Sequence, residues 1–105
     1  MRKDHNYYVY IVECADGAYY TGVTNNVNRR LGEHNEGVSA KSFTYNRRPV
    51  VLKYSMRFNK IEEAITFEKQ VKGWSRKKKE ALFEEDWEQI GLLAKSRQNR
   101  SSSTG

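Results

Sequence analysis

Five side chains in this sequence could do chemistry together: Tyr10, Tyr20, Arg30, His34 and Glu68. Phenols and an imidazole can pass protons. A guanidinium can offset charge that builds up on a phosphate oxygen. A carboxylate can hold a divalent cation or close an ion pair. Such a set suits hydrolysis of a phosphate ester, provided the elements that carry it bring it to one place.

The two tyrosines depend on one turn. The stretch "YYVYIVECADGAYYTGVT" holds five of the chain's seven tyrosines and reads as strands at 7–14 and 18–23 joined by a hairpin. Alternation puts Tyr8, Tyr10, Val12 and Cys14 on one face of the first strand. If Asp16-Gly17 alone is the loop, Tyr10 and Tyr20 face opposite ways. If Ala15-Asp16-Gly17 is the loop, with Gly17 left-handed, residue 12 pairs with 20 and residue 10 with 22. Both phenols then share a face, and Gly22 leaves room beside the Tyr10 ring. The plainer alternative is a ribbon rich in tyrosine for strand propensity alone.

Arg30 and His34 depend on a helix. Asn25 or Asn26 offers an N-cap and Gly37 a stop, which predicts a helix ending at about Glu36. At 100° per residue Val27, Arg30, Leu31 and His34 share a face, so Arg30 and His34 turn inward with the apolar pair, while Arg29 and Glu33 point elsewhere. An inward arginine is paired, snorkels, or opens into a cleft as a phosphate site. Glu68 depends on a second helix, from about Lys60 to Val71. It falls inside an apolar arc of Ile61, Ala64, Ile65, Phe67, Val71 and Trp74. A carboxylate there needs Lys72 at i+4, Arg30 across the interface, or a metal ion.

The remaining elements frame these. A polar loop, "VSAKSFTYNRR", leads to Pro49 and a third strand, "VVLKYSMRF". "KGWS" interrupts the helical run, and Ser75 caps a third helix from Arg76 to about Phe83. A weakly amphipathic stretch, Trp87 to Ala94, predicts a further helix. The order ββαβααα predicts an α+β fold, a small three-stranded antiparallel sheet flanked by helices. Residues 1–6 read as an N-terminal arm, 7–94 as the domain, and the Ser-rich 95–105 as a disordered tail.

The net charge of +6 is clustered. Lys69 to Lys79 holds six Lys or Arg and no acid, and Glu80 to Glu88 holds five acids and no base. Clustered cations attract polyanions, although solvated helix faces look the same. Lys41, Arg47, Arg48, Lys72, Lys77, Lys78 and Lys79 are the candidates for contacts to a nucleic-acid backbone. The lone Cys14 has no disulfide partner and no second cysteine for a zinc site. No apolar run approaches a membrane span or a signal peptide, so the expectation is a reduced, cytoplasmic setting without a membrane partner.

With these residues in place, the sequence resembles the GIY-YIG nuclease family, in its short stand-alone bacterial form. "YVY" at Tyr8 to Tyr10 and "YTG" at Tyr20 to Gly22 stand where that family has its two triplets. "GVTNNVNRRLGEH" follows with an Arg eight residues after the Gly and a His four beyond it. "EEAITFEKQVKGWSRKKKEAL" is similar to the helix that supplies the family's acid, and "SAKSFTYNRRPVVLKY" to the linker and third strand. The resemblance covers about residues 7–84.

It implies a GIY-YIG-like fold and a metal-dependent endonuclease acting on DNA rather than RNA, structure-selective or weakly selective. It implies that Tyr10 and Tyr20 lie at the attacking water, and that Arg30 contacts the scissile phosphate. His34 would assist proton transfer. Glu68 would be the sole protein ligand to Mg²⁺ or Mn²⁺, and Gly22 would permit close approach. Thr21 replaces an Ile of the second triplet, and "FEEDWEQI" lacks the Asn many relatives carry. Two other readings stand beside the nuclease: a nucleic-acid-binding module without cleavage, and a protein-interaction domain or homodimer using Lys69 to Glu88.

Overall fold

A computed structural model of the chain describes residues 6–85. It divides at Lys72 and Gly73 into two compact units. The helix expected at Trp87 to Ala94, the tail at 95–105 and most of the N-terminal arm lie outside the described residues. No described helix is long and apolar enough to cross a membrane.

The first unit is a three-stranded antiparallel sheet in the order β2-β1-β3. Its strands are β1 (Tyr7–Glu13), β2 (Tyr19–Thr24) and β3 (Val51–Phe58). The hairpin between the first two settles the register. Gly17 has φ +88°, its N–H donates to the Cys14 carbonyl at 2.9 Å, and Cys14 N–H donates to Ala18 O at 2.8 Å. The loop is therefore Ala15-Asp16-Gly17, and Tyr10 stands opposite Gly22, Val12 opposite Tyr20. Only a residue tolerant of positive φ closes this loop cheaply.

On the third strand a bulge between Ile11 and Val12 shifts the pairing, so that Ile11 meets Tyr54 but Val12 meets Leu52. The extra residue changes parity. Leu52 and Val50 thereby join Tyr10, Val12 and Cys14 in one cluster, with Tyr20 and Leu31 packed against it.

Helix α1 (Val27–Glu36) covers that face. Asn26 rather than Asn25 caps it, its side chain accepting from Arg29 N–H at 3.0 Å. Gly37 ends it in the left-handed conformation. The other face, bearing Val9 and Ile11, is covered by α2 (Ile61–Lys72), whose Phe67 ring meets Phe58 at 5.5 Å between centroids. Ala64 and Val71 of α2 are fully buried, but Ile65 is exposed. The buried stripe therefore centres on Ala64, Phe67, Glu68 and Val71, and Ile65 falls outside the arc drawn from sequence.

The second unit contains α3 (Arg76–Phe83), with Ser75 as its cap, accepting from Lys78 N–H at 3.1 Å. The short 3₁₀ turn Tyr45–Arg47 punctuates the long loop before β3.

Candidate active site

Tyr10 is almost fully buried, and the cause is local: its ring lies across Gly22 on the neighbouring strand. A Cβ at Gly22 would sit 2.6 Å from the Tyr10 hydroxyl. Gly22 thus makes room for the phenol itself. The Tyr10 hydroxyl hydrogen-bonds His34 Nε2 at 2.9 Å, and His34 Nδ1 bonds Thr44 Oγ1 at 2.7 Å. Tyr20 completes an aromatic group, its centroid 6.2 Å from Tyr10 and 5.4 Å from His34. Tyr10, Tyr20 and His34 therefore meet on one sheet face.

Helix α1 aims His34 inward because Leu31 and His34 lie on the side that meets the sheet. Asn35 fixes the helix there. Its side-chain amide donates to Val50 O at 3.1 Å and accepts from Val50 N–H at 2.7 Å, as a neighbouring strand would. Arg30 sits at the mouth, a little over a third exposed. It pairs with Glu33 at 2.9 Å, and Glu33 also reaches Arg29 at 3.5 Å. Glu33 thus turns toward Arg30, where the helical projection pointed it away. The Arg30 charge also acts on the Tyr10 phenol and favours its ionised form.

These surroundings fix the protonation states. Burial pushes the Tyr10 phenol up to about 12, with Arg30 pulling the other way. Burial also pushes His34 below its usual range, helped by the Arg30 charge and opposed by Glu33. At neutral pH the pair is a neutral phenol on a neutral imidazole.

Glu68 lies on α2, which covers the opposite sheet face. Its side chain is 15% exposed, and no contact joins it to Tyr10, Tyr20, Arg30 or His34 among the described residues. Of the partners left open by the sequence, Lys72 holds it, at 2.7 Å. Lys72 is itself exposed, and its hydrogen bond to Glu68 pushes its pKa up. Among the described residues no group of three His, Cys, Asp or Glu could hold a metal.

The basic candidates divide. Lys41 and Lys77 are exposed. Arg47 ties the loop to the hairpin, with Nε on Asp16 Oδ2 at 3.0 Å and its guanidinium 4.0 Å above the Phe43 ring. Arg48 donates to Tyr45 O at 2.8 Å and covers the Tyr45 ring. Lys78 is buried, with Nζ 4.1 Å over the Trp74 ring, and burial pushes Lys79 down. A run of like residues on a short helix cannot all face water.

Sequence reasoning missed Thr44, Ser42, Asn35 and Phe43. Phe43 stacks on Tyr20 at 5.8 Å and 21° while staying partly exposed. An open groove of about 450 Å³ continues the site face, lined by Tyr8, Asn25, Asn28, Leu52 and Ser55 among others.

The stretch that builds this fold and carries these residues matches a known class of domain. Residues 6–81 match the GIY-YIG catalytic domain, and the chain belongs to that family, whose members are nucleases. Within it, the chain is 48% identical over 77 residues to a UPF0213 protein of Halobacterium salinarum, covering 73% of this chain and 99% of that one. It is 47% identical over 83 residues to a UPF0213 protein of Bacillus pumilus, covering 79% and 84%. The solution NMR structure of the protein EF2693 from E. faecalis shares 36% identity and a TM-score of 0.55, covering 80% of this chain and 88% of that one.

Proposed function

We propose that the protein is a divalent-cation-dependent endonuclease that hydrolyses phosphodiester bonds in DNA with weak sequence selectivity. The observation that carries this reading is the meeting of Tyr10, Tyr20 and His34 on one sheet face, with Arg30 at the mouth. Arg30 is the one cation among the five at the mouth and still reaches water, so it binds the scissile phosphate and offsets its growing charge. Turning toward that phosphate, it leaves the Tyr10 oxygen free for the attacking water. Tyr10 at about 12 is a poor base alone. It accepts the water's proton as its own passes to His34. Tyr20, half-buried beside Phe43, orients the phosphate from the other side.

A cation fits Glu68 in a restricted sense. One carboxylate near the surface suffices for Mg²⁺ or Mn²⁺, which keep waters and share phosphate oxygens. The exposed Lys72 can release it, since such pairs contribute about 0–1 kcal/mol. When bound, the cation would polarise the phosphate and stabilise the leaving oxygen. Exposed Arg29, Lys41 and Lys72 line the approaches and position a backbone without reading sequence.

The test is cleavage of single-stranded, duplex and branched DNA, with RNA alongside, in Mg²⁺ or Mn²⁺. Glu68→Ala and Arg30→Ala are each expected to lose cleavage while Glu68→Ala still binds. Unchanged cleavage in both variants sinks the site assignment. One observation favours a second reading, binding without cleavage: Glu68 is already held by Lys72. That reading expects salt-sensitive binding and no cation-dependent product from the wild type.

A further inference from the structure

The Tyr10–His34 pair does not end at His34. His34 Nδ1 meets Thr44 Oγ1 at 2.7 Å, and Thr44 Oγ1 meets Ser42 Oγ at 3.0 Å. Ser42 lines a cavity of about 20 Å³, bounded also by Arg30, Glu33, His34, Thr44 and Tyr45. That is room for about one water. Tyr10, His34 and Thr44 are 2%, 4% and 1% exposed, so the chain of hydrogen bonds runs through the interior to that cavity.

We infer that Thr44 and Ser42 form a proton relay that carries the Tyr10 proton away from the cleavage site to the cavity, a role that rests on the nuclease reading. The direction of each bond follows from its neighbours. The Arg30 charge acts on Tyr10, so the phenol O–H turns away from it and donates to His34 Nε2, 2.9 Å off. The imidazole then carries its proton on Nδ1 and donates to Thr44 Oγ1. Thr44 O–H donates to Ser42 Oγ, which also accepts from Thr44 N–H at 3.3 Å. With its lone pairs so used, the Ser42 O–H is left to point into the cavity.

The transfer balances. The attacking water gives its proton to the Tyr10 oxygen as the Tyr10 proton moves to Nε2. The Nδ1 proton moves to Thr44, the Thr44 proton to Ser42, and the Ser42 proton through the cavity water to Glu33, which lines the cavity. Tyr10, His34, Thr44 and Ser42 end neutral, the Glu33 carboxylate ends protonated, and no electron changes hands. The relay has a physical reason: a protonated imidazole at a site this dry is costly, and burial and Arg30 both oppose it. Passing a proton in at Nε2 and out at Nδ1 avoids that state. Thr44 and Ser42 act through His34 and are positioning residues.

The experiment has two arms on the full chain. In the free protein, ¹⁵N NMR of His34 is expected to give the Nδ1–H tautomer. Thr44→Val, which keeps the shape but cannot accept, is expected to shift it toward Nε2–H, and Thr44→Ser to restore it. In single-turnover cleavage Thr44→Val is expected to lower the rate on the order of 100-fold with KM unchanged, the low end for lost acid–base help. Thr44→Ser should stay near wild type, which separates lost relay from lost fold. A wild-type Nε2–H tautomer overturns the relay, as does Thr44→Val that leaves both tautomer and rate unchanged. Absence of wild-type cleavage instead overturns the nuclease reading beneath it, and the relay's role falls with it.

Discussion

The two faces of the sheet bury different things. Under α2 lie Val9, Ile11, Ala64 and Val71, all at 0% exposure, and the ring contact of Phe58 with Phe67. Under α1, Tyr10, His34 and Thr44 are buried as deeply, beside Val12, Cys14 and Val50. Burying a polar group costs free energy unless it is hydrogen-bonded, and on the α1 face each of these three is bonded to the next. Apolar burial under α2 holds the unit together. Under α1, stability is spent on holding polar groups where proton transfer can use them. The difference sets the α1 face apart without reference to any motif.

The largest effect should separate the faces outright. Tyr10→Phe keeps the ring over Gly22 and removes only the hydroxyl. Cleavage is expected to fall about 10²- to 10⁴-fold, with a stability loss of about 1–3 kcal/mol for the unpaired His34 nitrogen. Ile11→Ala is expected to do the reverse, costing about 2–5 kcal/mol and leaving cleavage intact below its melting temperature. Denaturant melts and single-turnover cleavage check both. If folded Ile11→Ala loses as much cleavage as Tyr10→Phe, the division between faces fails.

Gly22→Ala sharpens the same point from the backbone side. The added methyl meets the Tyr10 hydroxyl at 2.6 Å and its Cζ at 2.8 Å, and the buried ring cannot swing aside freely. A loss of about 1–3 kcal/mol is expected, with a drop in cleavage larger than that loss explains. Cleavage at the wild-type rate would mean that the position of the phenol is not critical.

The α2 face has one polar exception. Thr21 is 3% exposed, and its Oγ1 finds no hydrogen-bond partner. Thr21→Val keeps the shape and removes that hydroxyl, so it should stabilise by about 1 kcal/mol without touching cleavage. A destabilised Thr21→Val in a thermal melt would show that the hydroxyl is satisfied in solution.

The hairpin could be read from sequence, but its register stayed open between a two- and a three-residue loop until Gly17 at positive φ and the Cys14–Ala18 bond settled it. Helix α1, bounded by Asn26 and Gly37, was legible too, and its azimuth carries His34 inward. Azimuth does not fix side-chain torsions, so it pointed Glu33 away from Arg30 although the two pair. Glu68 was placed on a buried stripe, but the choice among its partners stayed open until Lys72 took it. Thr44, Asn35 and the Asp16–Arg47 pair were out of reach for another reason. Their partners lie 10, 15 and 31 residues away, and the loop that brings most of them in has no periodicity. Lys78 looked like its neighbours in a basic run, yet an aliphatic stem lets a lysine lie buried against Trp74.

The smallest effect is a slope with pH. His34 is held below its ordinary value of 6.5, first by burial and then by Arg30, with Glu33 opposing. Below pH 6.5 the unfolded chain therefore binds a proton at this position that the folded chain refuses. Stability from this group is full above 6.5 and is lost as pH falls from there toward the depressed folded value. Thermal melts between about pH 5 and 7, above the range where most carboxylates titrate, should show that decline in the wild type. His34→Gln should flatten it, even though the variant is less stable at every pH. A decline of equal slope in His34→Gln would place the responsible proton elsewhere, and the buried imidazole would no longer distinguish the α1 face in its response to acid.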